Sequence, residues 1–132
     1  MSFVLDASVA ICWAMHDESD ARADAAQARA LTDRVIVPAL WWYEVRNILV
    51  LNERRGRISQ ADSELFLEST GSLPDTTFPQ DSRETLQLAR KHGLSVYDAA
   101  YLALAKSNRV PLATLDRALE AAAIAEGIEI VA

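Results

Sequence analysis

The sequence predicts an α/β fold with a short-stranded, mostly parallel sheet flanked by helices on both faces. Two observations carry that expectation. The β-branched and apolar runs are short and continuous, as in strands buried on both faces, with none of the in-out alternation of a half-solvated sheet. Between them lie segments with helical spacing and recognisable start and stop residues, and strands separated by helices imply crossover connections. A length of 132 residues, with 51% hydrophobic and 24% charged, suits a single domain over 1–132 with a core that needs neither disulfides nor a structural metal.

Phe3-Val4-Leu5 is a short strand broken at Asp6, and Ser8 to Met15 reads as an apolar helix ended by the polar cluster His16-Asp17-Glu18-Ser19-Asp20. Asp20 to Leu31 spaces its alanines at helical intervals. Val35-Ile36-Val37 is a β-branched run of strand length. Pro38 pre-sets the first turn of a long helix that runs to about Arg55, where Gly56 stops it; a helix from about Ser59 carries Leu65, Phe66 and Leu73, so the two should form a hairpin. Thr76-Thr77-Phe78 is a weak strand, Ser82 to His92 a helix closed by Gly93, and Ser95 opens another that runs to about Asn108. Pro111 to Thr114 is a short strand, Asp116 to Ala125 a helix ended by Gly127, and Ile128 to Val131 a last strand.

Charge and cysteine content exclude several classes of function. Thirteen Lys and Arg against nineteen Asp and Glu give a net charge of −6, so bulk attraction to nucleic acid is absent and any phosphate must be bound locally. The single Cys12, the lack of a basic leader and the lack of a long uncharged apolar run make a cytoplasmic location the expectation. There is no G-x-S-x-G, Walker A or G-x-G-x-x-G motif. His16 sits in a polar loop, His92 at a helix end and Cys12 in an apolar stretch, which suits solvated, capping and inert core roles respectively.

The acidic residues are more informative. Ligands of parallel sheets bind beyond the carboxyl ends of the strands, where Asp6 ends the first strand and Asp116 follows the fourth. Glu44 interrupts Leu40-Trp41-Trp42-Tyr43 and Val45, and Asp98 lies within Val96-Tyr97-Asp98-Ala99-Ala100-Tyr101; burying a lone carboxylate in such surroundings costs several kcal/mol unless something compensates. Each has a structural alternative. Asp6 and Asp116 can cap the helices that follow them, Ser95-x-x-Asp98 is a capping-box spacing, and Glu44 can pair with Arg46 or a distant arginine. Together, with no His or Cys cluster, the four make an oxygen-only site suited to Mg²⁺ or Mn²⁺. Such an ion activates water and neutralises phosphoryl oxygens, which is the chemistry of phosphodiester hydrolysis.

Val4-Leu5-Asp6-Ala7-Ser8, Glu44-Val45-Arg46-Asn47, Val96-Tyr97-Asp98-Ala99-Ala100-Tyr101 and Leu112-Ala113-Thr114-Leu115-Asp116, in this order, resemble the motifs of the PIN domain, and in particular those of VapC-type toxin ribonucleases. The resemblance spans the whole chain. It implies a PIN-like fold and a Mg²⁺/Mn²⁺-dependent endoribonuclease acting as the toxin of a type II toxin-antitoxin pair. Asp6, Glu44, Asp98 and Asp116 would be its catalytic and metal-binding acids, with Asp6 and Asp98 matching the usual ligands. Ser8 and Thr114 match hydroxyls that hydrogen-bond the acids or a bound water, and Asn47 matches a polar residue one turn beyond Glu44. Helix capping, strand filling and a solvated helix face are the ordinary alternatives for these three. The resemblance further implies an RNA substrate, a homodimer and a small VapB-like antitoxin lying in a groove near the site. Trp41, Trp42 and Tyr43 are compatible with that, because consecutive helix positions cannot all face one core and at least one ring should be exposed or at an interface.

Two other readings compete for the same residues. A phospho-receiver of similar length calls for adjacent acids after the first strand and a lysine after a late one, whereas here Asp6 stands alone and Lys106 lies in a helix. A PIN nuclease with a housekeeping RNA-processing role has the same acids, because carboxylates read phosphate geometry and leave base identity to the surrounding surface.

Overall fold

The computed structural model describes residues 1–15, 17–70, 73–77 and 82–132. Its elements are β1 (Ser2–Leu5), α1 (Ala7–Ala14), α2 (Ala21–Arg29), β2 (Arg34–Pro38), α3 (Leu40–Arg54), α4 (Gln60–Thr70), β3 (Pro74–Thr77), α5 (Ser82–His92), α6 (Val96–Asn108), β4 (Leu112–Ala113) and α7 (Arg117–Ala125). The sheet order is β3-β2-β1-β4, with every pairing parallel. The α/β class expected from the sequence is borne out. Phe3, Val4, Leu5, Val35, Val37, Leu112 and Ala113 are buried to the point of contributing almost no surface, the mark of a sheet covered on both sides.

From β1 the chain steps one way to β2 and β3, then crosses back over the sheet to β4. Right-handed crossovers put the helices after β1 and β2 on one face and those after β3 on the other, and α6 packs across β1, β2 and β4. The order therefore reverses between β1 and β4, and the crevice at their carboxyl ends is the topological switch point.

Local signals act where the sequence places them. Asp20 caps α2 by accepting from the Arg22 amide at 2.8 Å, and Ser95 caps α6 by accepting from the Asp98 amide at 3.0 Å. Gly127 adopts φ 76, a left-handed conformation that lets the chain turn back after α7. Helix α6 ends on Arg109, at φ 55 and without a glycine.

Several details differ from the expectation. Ile128 to Val131 is not a full strand: among the described residues it contributes one parallel bridge, Ile130 to Leu112. The partner strand β4 is only two residues long, which leaves no register to extend. The weak strand runs over Pro74–Thr77, and Phe78, like His16, lies outside the described residues. Helices α3 and α4, paired as a hairpin in the sequence reading, do face one another, with a cleft of about 270 Å³ between them lined by Arg46, Leu49, Ser63 and Leu67 among others. Trp41 is buried, Trp42 is half-buried against it edge-to-face at 5.0 Å, and Tyr43 is 78% exposed, so the three rings divide as helical geometry requires. No helix among the described residues is long and apolar enough to cross a membrane.

At the end of α7, Glu126 collects Lys91 (2.7 Å), His92 (2.7 Å) and Lys106 (3.1 Å) while its side chain is only 6% exposed. The hydrogen bonds from Lys91, His92 and Lys106 bring its carboxyl down to about 2 from an ordinary 4.5. A depressed carboxyl pKa contributes stability that is complete above about pH 4.5 and disappears as the pH falls through 2. Glu126→Gln is therefore expected to lower stability by about 1–2 kcal/mol at pH 7, with the difference from wild type vanishing near pH 2, as read from urea unfolding across that range.

Candidate active site

Asp6 leaves β1 at the switch point and is only 6% exposed. A carboxylate so placed needs donors, and two hydroxyls supply them. Ser8 Oγ and Thr114 Oγ1 each donate to Asp6 Oδ2 at 2.7 Å. Both hydroxyls also accept a backbone amide, Ser8 Oγ from Leu115 at 3.1 Å and Thr114 Oγ1 from Asp116 at 3.0 Å. The capping alternative for Asp6 is not realised, since its side chain makes no cap hydrogen bond although the residue occupies the N-cap position of α1. Hydrogen bonds from the Asp6 amide to the Ala113 carbonyl and from the Val4 amide to the Pro111 carbonyl, both 2.9 Å, clamp β1 against β4 directly beneath the site.

Asp116 does cap α7, accepting from the Leu119 amide through Oδ1 at 2.9 Å, which leaves its second oxygen unused by that cap. Asp98 sits in the first turn of α6, and its amide completes half of a capping box with Ser95. Glu44 points from α3 towards α6, where the buried Tyr101 hydroxyl donates to its Oε1 at 2.5 Å. The Glu44–Arg46 pairing considered from the sequence does not form; Arg46 donates to the Trp42 carbonyl at 3.0 Å and lies over the Trp42 ring. Asn47 is exposed on α3 and makes no hydrogen bond to any of the four acids. Cys12 is half-buried, and burial pushes its thiol up to about 11, which keeps it protonated and unreactive.

Asp6, Glu44 and Asp98 feel burial and their neighbouring acids. Burial raises the pKa of Asp6, the Thr114 and Ser8 hydrogen bonds pull it back, and the charges of Asp98 and Asp116 raise it further. Glu44 is raised first by burial and then by Asp6 and Asp98, against the opposing bond from Tyr101. Asp98 is raised by burial and by Asp116. Among the described residues no Lys or Arg forms an ion pair with any of the four. The same residues contain no group of three or more His, Cys, Asp or Glu side chains drawn close enough to hold an ion as they stand. The arrangement is an acidic crevice whose neighbouring charges repel and which no Lys or Arg among the described residues compensates by an ion pair.

Residues 3–125 match the PIN domain. The chain belongs to the PIN-domain family. It is 33% identical over 123 residues to Ribonuclease VapC3 of Pyrobaculum aerophilum, a match that covers 90% of this chain and 92% of that protein. Its fold is similar to the crystal structure of PAE2754 from the same organism, with a TM-score of 0.73 and 28% identity over 92% of this chain and 79% of the other. The expected PIN-like fold is thus confirmed, and the expected family with it.

Tyr101 is the site-forming residue that sequence reasoning passed over. It lies one turn after Asp98 in an apolar helical stripe, and nothing local distinguishes it from core. Tyr101→Phe removes the donor to Glu44, whose pKa is already raised, and the lost bond raises it further. A carboxyl with a raised pKa opposes folding once it is ionised, so the penalty is present at neutral pH and shrinks as acid protonates Glu44. Unfolding measurements in EDTA should show Tyr101→Phe less stable by about 1–3 kcal/mol at pH 7 and closer to wild type at pH 4.

Proposed function

We propose that this PIN-domain protein is a Mg²⁺/Mn²⁺-dependent endoribonuclease and the toxin of a type II toxin-antitoxin pair. One observation carries the reading: the charges of Asp98 and Asp116 reach Asp6, those of Asp6 and Asp98 reach Glu44, and among the described residues no Lys or Arg is paired with any of the four. Family membership supports it, as does similarity to a relative named a ribonuclease of the VapC type.

The donor set fits a hard divalent cation, since it is oxygen-only and gains most from a positive charge that relieves its own repulsion. Asp6 and Asp98 would hold the ion, with Glu44 and Asp116 completing the acidic rim. When bound, the ion supplies activation of water and neutralisation of charge on the phosphoryl oxygens. The protein's own residues do the positioning. Ser8 and Thr114 occupy one oxygen of Asp6 and so orient the other, and Tyr101 fixes the rotamer of Glu44. Asp116 is held by its own cap to the α7 amide. The toxin role, a homodimer, a VapB-like antitoxin as partner and a cytoplasmic setting follow from the likeness to VapC-type proteins and belong to the same proposal.

Asp6→Asn and Asp98→Asn test the site. In Asp6→Asn the new side-chain amide oxygen still accepts from both hydroxyls, so folding persists, and in EDTA at pH 7 the loss of a buried charge should leave stability unchanged or higher. RNA cleavage in Mg²⁺ or Mn²⁺ should fall by more than about a hundredfold, beyond what removal of an outer-shell partner costs. The wild type should melt higher with either ion than in EDTA, and neither variant should. Retention of substantial cleavage by both variants overturns the assignment.

The toxin role is tested separately. Expression of the wild-type chain alone should arrest bacterial growth, and Asp6→Asn should relieve the arrest. Unimpaired growth at confirmed expression, with cleavage demonstrated in vitro, points instead to an RNA-processing nuclease.

A further inference from the structure

Two large aromatic side chains stand in solvent at positions adjoining two of the four acids in the chain. Tyr43 is 78% exposed and immediately precedes Glu44 on α3; Tyr97 is 66% exposed and immediately precedes Asp98 on α6. Neither hydroxyl has a hydrogen-bond partner among the described residues. Their placement is not that of scattered surface apolar residues such as Leu31 and Leu65. Tyr97 and Tyr101 are four residues apart on α6 and so share one face of it, and Tyr101 is the residue that bonds Glu44 across to α3. The face of α6 that reaches Glu44 through Tyr101 thus continues towards solvent as Tyr97, while α3 presents Tyr43 next to the same carboxylate. One turn beyond Tyr43, the exposed Arg46 carries a guanidinium with no acidic partner among the described residues.

We propose that Tyr43 and Tyr97 are stacking platforms for bases flanking the scissile phosphate. The proposal rests on the endoribonuclease reading of the site. A chain of net charge −6 repels a polyanion at long range, so its affinity must come from contacts that do not depend on bulk charge. Base stacking on aromatic rings is such a contact, tolerant of sequence because every base has a π-face. It demands bases free of a duplex, since paired bases in an A-form helix offer no ring face to a side chain. Arg46 is placed to meet a backbone phosphate on the Tyr43 side. A protein interface is the rival use of the same rings, and the experiment separates the two.

The measurement is fluorescence anisotropy of a short, unstructured, fluorescein-labelled oligoribonucleotide in EDTA, together with steady-state cleavage of the same RNA in Mg²⁺. Tyr43→Ala and Tyr97→Ala should each weaken binding and raise KM by about tenfold, with kcat within about twofold of wild type. Tyr43→Phe and Tyr97→Phe, which keep the ring, should restore the affinity, whereas Leu at either position should not. A fully paired duplex of the same sequence should bind wild type and variants alike. Unfolding midpoints should be unchanged, since both rings lie in solvent. Alanine variants that bind and cleave like wild type overturn the proposal, as does Leu serving as well as Phe. Loss of self-association in sedimentation, with RNA affinity intact, overturns it in favour of a protein interface. Ring-dependent RNA binding without any cleavage would sink the nuclease reading and leave the platforms standing; cleavage indifferent to the rings would do the reverse.

Discussion

Burying the Asp6 carboxylate at the end of the central strand is the constraint on which the rest of the structure turns. A carboxylate that is 6% exposed must be met by donors or forfeit several kcal/mol. Its donors come from two directions: Ser8 from the helix that follows β1 and Thr114 from the end of β4, more than a hundred residues away. That pairing is available only if β4 lies beside β1, which in turn requires the chain to cross back over β2 and β1 after β3. The topology, the buried acid and the crevice are therefore one requirement seen at three scales. The hydroxyls make the junction tighter still, because each is spent twice, donating to Asp6 and accepting from an amide of the segment leading into α7.

Charge is segregated across the molecule in a way that bears on function. At the end of α7 one carboxylate, Glu126, gathers three basic side chains. At the switch point four carboxylates gather none among the described residues. The first arrangement stabilises the fold; the second opposes it, as the pKa values of Asp6, Glu44 and Asp98 register, raised first by burial and then by neighbouring acids. Sites that are held in an unfavourable state by the surrounding fold are where binding of a complementary ion does most, since the ion relieves repulsion that the protein has already imposed. The two hydroxyls and Tyr101 are what hold these acids in place while that repulsion acts.

Much of this was legible in the sequence, for reasons that differ by residue. Phe3 to Leu5 and Val35 to Val37 announce themselves because strands buried on both faces admit no polar interruption. Gly56, Gly93 and Gly127 mark helix ends because the left-handed turn there favours glycine. Glu44 stands out because its neighbours are apolar and a lone acid among them demands an explanation. What was not legible depends on neighbours distant in sequence. Whether Asp6 caps α1 or receives Ser8 and Thr114 is decided by the position of β4, and Asp116 looks identical to it locally yet does cap its helix. Tyr101 carries no local sign that its hydroxyl meets Glu44. Ile128 to Val131 has the composition of a strand, but strand length is set by the partner, and β4 offers only two residues.

That last feature has a mechanical side. A strand as short as β4 cannot hold its own position, yet it delivers Thr114 and Asp116 to the crevice. It is splinted from both flanks: on one by the Val4 and Asp6 amides, on the other by hydrogen bonds from the Leu112 amide to the Glu129 carbonyl at 2.9 Å and from the Val131 amide to the Leu112 carbonyl at 3.0 Å. The residues beyond Gly127, which carry no chemistry of their own, thus serve as the outer brace of the crevice. The alignment of an acid and a hydroxyl at the centre of the molecule is borrowed in part from the stiffness of its rim.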